Sequence, residues 1–129
     1  MDELTPVQPP GKVQAIGAMH LVAGILNVLA AFFWTIYGLL MGVATFGVGL
    51  LFCCPAFILL PIGVMEIISG SRHLSKNHTG LKPPRITAIA EIAAVLGCGM
   101  ISCVMGILTL VFLNDPEVAA YYEKKQLGG

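Results

Sequence analysis

Two long apolar blocks, separated by one strongly polar stretch, dominate the pattern of the chain. Val13 to Gly70 contains Glu66 as its only charged residue, whereas Ser71 to Arg85 carries four Lys or Arg residues, two His residues and no acid. A helix that spans a bilayer needs about 20 mostly apolar residues, so the first block holds two spans and the second holds one. We predict transmembrane helices at about Val13–Ile36, Phe46–Gly70 and Ile86–Leu113.

The boundaries between these helices are predicted from residues that interrupt helices. Four glycines between positions 38 and 49 indicate the first turn. Pro83 and Pro84 end the polar loop, and the sequence Asn114-Asp115-Pro116 ends the last helix. The domain organisation that we predict is a mobile tail over residues 1–12, a transmembrane bundle over 13–113 with a basic loop at 71–85, and a polar tail over 114–129.

The amino-acid composition indicates which environment surrounds this chain. Of 129 residues, 57% are hydrophobic and only 11% are charged, less than half the charged share of an ordinary soluble domain. We therefore expect an all-α integral membrane protein with three transmembrane helices in a small bundle, in a plasma membrane or a bacterial inner membrane. The net charge is zero, so nothing suggests a nucleic acid partner, and we expect no cofactor and no metal site.

The basic residues predict how the chain threads the membrane. Loops rich in Lys and Arg stay in the cytoplasm, so the loop at 71–85 and the N-terminus are predicted to be cytoplasmic. Three spans then put the C-terminus outside, although Lys124 and Lys125 in the tail argue mildly against this. Tyr121 and Tyr122 are expected at the outer interface, where amphipathic rings prefer to lie.

Each predicted helix contains one ionisable side chain within the membrane. At about 1.5 Å per helical residue, His20, Glu66 and Glu91 fall at one depth in the cytoplasmic half, and Asn27 adds a polar group to the first helix. Charged groups inside a bilayer are costly and usually face protein or water. The alternatives are a shared site that binds or relays a proton or cation, and interhelical hydrogen bonds that only specify packing.

Small residues recur on one face of each helix at spacings of three and four. Such faces let helix backbones approach closely. Because three helices alone offer few partners for these faces, the pattern favours a homo-oligomer or a larger membrane complex. The predicted packing residues are Gly17, Gly24, Gly63, Gly70, Ala90, Ala94, Cys98, Ser102 and Gly106.

Three segments resemble the membrane-spanning four-domain subfamily A, the tetraspan group that includes the B-cell surface phosphoprotein. They are IGAMHLVAGIL at residues 16–26, GVMEIISGS at 63–71 and GMISCVMGIL at 99–108. Members of that family have cytoplasmic termini and a fourth span, which the predicted organisation of this chain lacks. The resemblance implies a non-enzymatic membrane organiser that oligomerises and modulates partner proteins.

Two functions follow from these features. The first is a structural, accessory or organising membrane subunit that acts through helix packing and oligomerisation. The alternative is an oligomeric proton or cation pathway that uses Glu66, Glu91 and His20. We do not expect an enzyme, because the sequence offers no nucleophile and base with an orienting group near an interface.

Overall fold

The computed structural model of the chain describes residues 9–75, 81–97 and 99–127. Within these ranges every regular element is helical, which confirms the prediction of an all-helical chain. In chain order, the elements are α1 (Gly11–Ala44), a 3-10 segment (Val48–Cys53), α2 (Cys54–Leu74), α3 (Arg85–Ala93), a second 3-10 segment (Ala94–Gly97), α4 (Met100–Leu113) and α5 (Pro116–Leu127).

Two segments, α1 and Val48–Leu74, are long and apolar enough to cross a membrane. A third candidate arises if α4 and α5, which meet at an angle of 80°, count as one broken span. The described part of the chain therefore has two or three helices suited to a bilayer.

The turn between α1 and α2 is tighter and later than predicted. α1 continues to Ala44, and the hydroxyl of Thr45 then donates to the carbonyl of Met41 and accepts the amide of Gly49, each at 2.7 Å. Gly47 adopts a left-handed conformation at φ +100°, which glycine tolerates without strain. A Cβ atom on Gly49 would lie 2.2 Å from the Met41 carbonyl carbon, so the returning chain fits against α1 only with glycine there.

α1 and α2 pack along a seam of glycines. A Cβ atom on Gly24 would lie 2.7 Å from the carbonyl oxygen of Gly63, and one on Gly70 would lie 2.7 Å from the carbonyl oxygen of Gly17. These glycines therefore bring the two backbones into direct contact, as small residues do in membrane helix pairs. The second predicted helix differs at its start: it begins as a 3-10 segment, and Pro55 stands in the first turn of α2, where it removes no helical hydrogen bond.

The third predicted helix, Ile86–Leu113, is not continuous. α3 ends at Ala93, the backbone passes through a 3-10 segment, and the amide of Gly99 donates to the carbonyl of Ala94 at 2.9 Å before α4 begins. A Cβ atom on Gly106 would lie 2.6 Å from the carbonyl oxygen of Ala88, so α4 packs back along α3. The segment therefore forms a helical hairpin. Two glycines flank position 98, and they favour a break there because glycine is a poor helix former, by about 1 kcal/mol relative to alanine.

The hairpin brings the chain back along the bundle. We predicted the N-terminus and the C-terminus on opposite sides of the membrane; among the described residues, the end of α4 lies at the end of the bundle at which α1 begins. There, Lys12 and Asp115 form an ion pair. We call this the loop end, because α2 ends and α3 begins there as well, and we call the opposite end, around Thr45, the turn end.

The polar tail predicted after residue 113 is largely a helix. The backbone amide of Glu117 donates to Asp115 Oδ1 at 3.0 Å, which caps the start of α5. α5 then buries an apolar side against α1 and the end of α4, because small amphipathic helices need a core to cover that side. The buried cluster consists of Val13, Ile16, Leu81, Leu113, Val118, Tyr121 and Tyr122.

Parts of the predicted tails and loop lie outside the described residues. These are residues 1–8 of the predicted mobile tail, residues 76–80 of the basic loop and the last two residues of the chain. α1 begins at Gly11, so the predicted tail gives way to helix two positions before Val13.

Candidate functional site

The first part of the candidate site is a buried pair between α1 and α3. His20 Nδ1 contacts Glu91 Oε1, and neither side chain has any exposed surface. The pair is an ion pair when the imidazole is protonated and a neutral hydrogen bond when the proton lies on the carboxyl group. Of the remaining polar atoms, His20 Nε2 and Glu91 Oε2 have no hydrogen-bond partner among the described residues.

The second part joins α1, α2 and α4. Asn27 Nδ2 donates to the two carboxyl oxygens of Glu66 at 2.8 and 3.0 Å, and it lies 2.6 Å from Ser102 Oγ. All three residues are buried. Hydrogen bonds of this kind fix the register of neighbouring helices, since each partner would otherwise be an unsatisfied polar group in an apolar interior.

The two parts form neighbouring layers of one interior. Asn27 follows His20 by seven residues, which is about 10 Å along α1. The sequence placed His20, Glu66 and Glu91 at a single depth; the structure brings His20 and Glu91 together and puts Glu66 with Asn27 in the next layer. Ser102, predicted only as a packing residue, is a polar partner in that layer.

The polar interior continues toward the loop end through aromatic and imidazole rings. The ring of His73 lies 6.4 Å from that of His20 and 5.8 Å from that of Tyr122. His73 Nδ1 is 2.7 Å from the Ser69 carbonyl oxygen and donates to it, which fixes the orientation of the ring. On α4, Thr109 is also fully buried.

Sequence reasoning missed part of this interior. Helical spacing placed His73 on the same face as Glu66 and Gly70, but it was not predicted to belong to the polar site. Tyr122 was expected at the outer membrane interface and is instead buried at the loop end, where burial raises the pKa of its phenol. No signal in the sequence shows whether Tyr122 lies at the membrane interface or in the interior, because the hairpin determines which end of the bundle α5 reaches.

An apolar cluster closes the interior toward the turn end. It lies beyond Asn27 along α1 and consists of Ala31, Ala56, Leu59, Ile62 and Ala94. Trp34 packs on its outer side. The polar layers are therefore bordered by an apolar cluster toward the turn end and by the rings of His73 and Tyr122 toward the loop end.

The predicted small-residue faces pack inside the chain. Gly17, Gly24, Gly63 and Gly70 form the seam between α1 and α2, and Gly106 packs on α3. Ala94 is buried in the apolar cluster and Ala90 packs against it, while Cys98 lies outside the described residues. Since these faces are covered within one chain, they no longer argue for an oligomer.

Charge is confined to the loop end of the described structure. Lys12 pairs with Asp115, and Arg72, Lys82 and Arg85 surround the point where α2 ends and α3 begins. The hydrogen bond from Lys12 holds the pKa of the Asp115 carboxyl below its ordinary value. Between residues 13 and 65 the sequence has no Asp, Glu, Lys or Arg at all.

The chemistry available in the interior is proton exchange between carboxyl, imidazole and hydroxyl groups. Among the described residues, no group of three or more His, Cys, Asp or Glu side chains is arranged to hold a metal ion. A comparison of the chain with protein-family models, with curated proteins and with solved structures found no match. The resemblance to the four-domain family stays a prediction, and the proposals below depend on the geometry.

Proposed function

We propose that this chain is a small multi-pass membrane protein that binds and releases protons at His20, Glu66 and Glu91. The observation that supports this proposal is that each of these ionisable side chains is fully buried between helices. Ionisable groups inside membrane bundles are rare and commonly mark proton or ion pathways. Helices can be fastened together with amide and hydroxyl groups alone, so two carboxyl groups and an imidazole favour proton binding over simple packing.

Glu66 is the group at which we propose that the bundle stores a proton. Its carboxyl group accepts hydrogen bonds from Asn27, and it forms no ion pair within the described part of the chain. A buried carboxylate without a countercharge costs several kcal/mol, whereas a neutral carboxylic acid is itself a hydrogen-bond donor. Uptake of a proton therefore relieves the cost of burying this group.

His20 and Glu91 form the second step of the proposed path. An imidazole and a carboxyl group in direct contact exchange a proton along one hydrogen bond. Each also has a second polar atom without a partner among the described residues, so both retain capacity to receive or pass on a proton. The pair thus lies between the stored proton at Glu66 and the rings of His73 and Tyr122.

The proposed path opens at the loop end and is closed at the turn end. The closed side is the apolar cluster around Leu59, which offers no polar atom to carry a proton. Protons therefore exchange with the buried site from the loop end only. Passage across the membrane requires the hairpin of α3 and α4 to separate from α1 and α2 at this cluster.

We propose that the loop end is cytoplasmic, that α1 and α2 span the membrane, and that α3 and α4 form a re-entrant hairpin. The rising arm, α3 with the second 3-10 segment, covers about 20 Å, which is shorter than a hydrocarbon core of about 30 Å. Every Lys and Arg that the structure describes lies at the loop end, which supports a cytoplasmic location. Lys124 and Lys125, which opposed the predicted three-span threading, agree with this one.

The experiment is proton uptake by the purified protein in detergent, followed with a pH-sensitive dye in weakly buffered solution. We expect the variants Glu66→Gln and Glu91→Gln to lose the uptake that the wild type shows after an acid jump. Glu123→Gln is the matched control, because Glu123 is exposed on α5, and it should behave as wild type. Uptake that is unchanged in both buried variants would contradict the proposal.

A second candidate is a structural or accessory subunit. The observation that favours it is the apolar turn end, where α1, the turn, the first 3-10 segment and the start of α2 expose large aromatic side chains. α1 is about 51 Å long, well beyond a hydrocarbon core of about 30 Å, so either tilt or a protein partner has to cover the excess. The exposed residues are Phe32, Phe33, Phe46, Phe52 and Phe57.

Substitutions at different positions distinguish the two candidate functions. A proton-binding protein loses function when Glu66 becomes Gln and keeps it when Phe33 or Phe52 becomes Leu. An accessory subunit shows the reverse, since its partner contacts the aromatic surface. Co-purification from the native membrane in a mild detergent, followed by comparison of these variants, decides between them.

A further inference from the structure

A cavity of about 680 Å³ lies at the loop end between the last turns of α2 and the start of α3. His73 also lines it, so the cavity borders the buried polar interior, but neither His20 nor Glu91 is among its lining residues. Its lining includes Met65, Ile68, Arg72, Lys82, Ile86 and Thr87. Its size falls within the range of sites that hold organic ligands.

The lining has two chemical parts. Arg72 and Lys82 supply positive charge, are exposed, and form no ion pair within the described residues. The backbone amides in the first turn of α3, at Ile86 and Thr87, add the positive end of a helix to the same region. Met65, Ile68 and Ile86 form an apolar side, with 40%, 46% and 76% of their surface exposed.

A ligand that fits both parts is an amphiphile with an anionic head. Basic pockets between membrane helices on the cytoplasmic side bind phospholipid head groups. The phosphate of such a lipid would meet Arg72 and Lys82, and an acyl chain would follow Met65 and Ile68 along α2. The exposed apolar side chains beside the cations argue against a free anion as the occupant, since a free anion gains nothing from them.

We propose that this cavity is a binding site for an anionic phospholipid, with Arg72 and Lys82 as the ligands of its phosphate. The site lies where the basic loop leaves and re-enters the bundle, so a bound lipid connects the end of α2 to the start of α3. The proposal goes beyond proton binding and does not depend on it.

The test is lipid binding to the full chain in detergent, measured by native mass spectrometry with phosphatidylglycerol and with phosphatidylcholine. We expect phosphatidylglycerol to bind and phosphatidylcholine to bind far less. Each basic residue near a membrane surface contributes about a fivefold gain in binding of anionic lipid. The double variant Arg72→Gln/Lys82→Gln should therefore bind phosphatidylglycerol about 25-fold more weakly.

The matched control is Lys124→Gln/Lys125→Gln, which removes the same charge from the same end of the bundle without touching the cavity. It should keep most of the binding, and so should the charge-conserving variant Arg72→Lys/Lys82→Arg. An equal loss of phosphatidylglycerol binding in both glutamine variants would show that the lipid is attracted by the positive charge of the loop end in general, and would overturn the assigned site. Displacement of the lipid by millimolar inorganic phosphate would overturn the assignment to a lipid.

Discussion

The loop end and the turn end of the bundle are built from different chemistry. At the loop end, helices are joined by hydrogen bonds between polar side chains, by an ion pair and by the packing of α5. At the turn end, α1 meets the returning chain through close contacts at Gly42 and Gly49 and through aromatic rings, and no charged residue takes part. Packing and uncharged hydrogen bonds therefore hold one half of the molecule, whereas the other half depends on groups that respond to protons.

This difference makes the stability of one half of the bundle dependent on pH and that of the other half independent of it. Apolar packing between membrane helices is insensitive to pH, because it contains no titratable group. Buried carboxyl and imidazole groups are sensitive to pH, since their contribution to the free energy of unfolding changes when a proton binds. The following substitutions test this division, from the largest expected effect to the smallest.

The largest effect is expected from Glu91→Leu, which leaves His20 buried without its partner. Removal of one member of a buried ion pair typically costs about 3 to 5 kcal/mol. The measurement is the free energy of unfolding in detergent micelles, followed by helical circular dichroism during a denaturant titration. The double variant His20→Leu/Glu91→Leu should recover much of the loss, because neither charge is then stranded. A single variant as stable as the wild type would show that the pair does not hold the loop end.

An intermediate effect is expected from Gly24→Ala, which lies at the boundary between the two halves. The added methyl group would lie 2.7 Å from the carbonyl oxygen of Gly63 and 2.8 Å from the backbone nitrogen of Ile67, so one backbone has to move. Overpacking of this kind costs about 1 to 3 kcal/mol. Gly11→Ala is the control, since no atom lies within 4 Å of its added methyl group. Equal unfolding free energies for the two variants would argue against a close seam.

The seam also shows how far sequence reasoning reaches in this chain. Spacings of three and four placed Gly17, His20, Gly24 and Asn27 on one face of α1, and all four are buried. The pairing of that face with Gly63 and its neighbours on α2 follows from the same periodicity. Spacing within a helix is a local property, so the sequence is sufficient to predict it.

The reversal of the chain direction after α3 could not be predicted from the sequence, for a physical reason. Ile86 to Leu113 has the length and hydropathy of a single span, and neither property distinguishes a straight helix from two short ones. The break depends on contacts from distant residues: Leu59 of α2 lies against Gly99, and Glu91 reaches His20 on α1. The prediction for α5 and Tyr122 depended on the direction of α4, so it inherits whatever the break decides.

The smallest effect is expected from Asp115→Asn, because the Lys12 and Asp115 side chains are partly exposed, at 46% and 26%, and exposed pairs contribute little. The hydrogen bond from Lys12 lowers the pKa of Asp115, so its contribution to stability is complete above the ordinary pKa of about 3.9. It is lost as the pH falls through the lowered value. Melting temperatures of wild type and variant should differ slightly from pH 5 to 8, approach each other as the pH falls below about 4, and converge below the lowered pKa of Asp115. A difference that grows in acid would contradict the assigned pair.

The central claim is that both chain ends and the basic loop lie on one side of the membrane, with the turn at Thr45 on the other. The most direct test is cysteine labelling in intact cells with an impermeant reagent, in a variant that lacks the four native cysteines. We expect Ser75→Cys and Gln126→Cys to be protected until the cells are permeabilised, and Thr45→Cys to be labelled from outside. Labelling of Gln126→Cys from outside, with Ser75→Cys protected, would contradict the hairpin and restore three full spans.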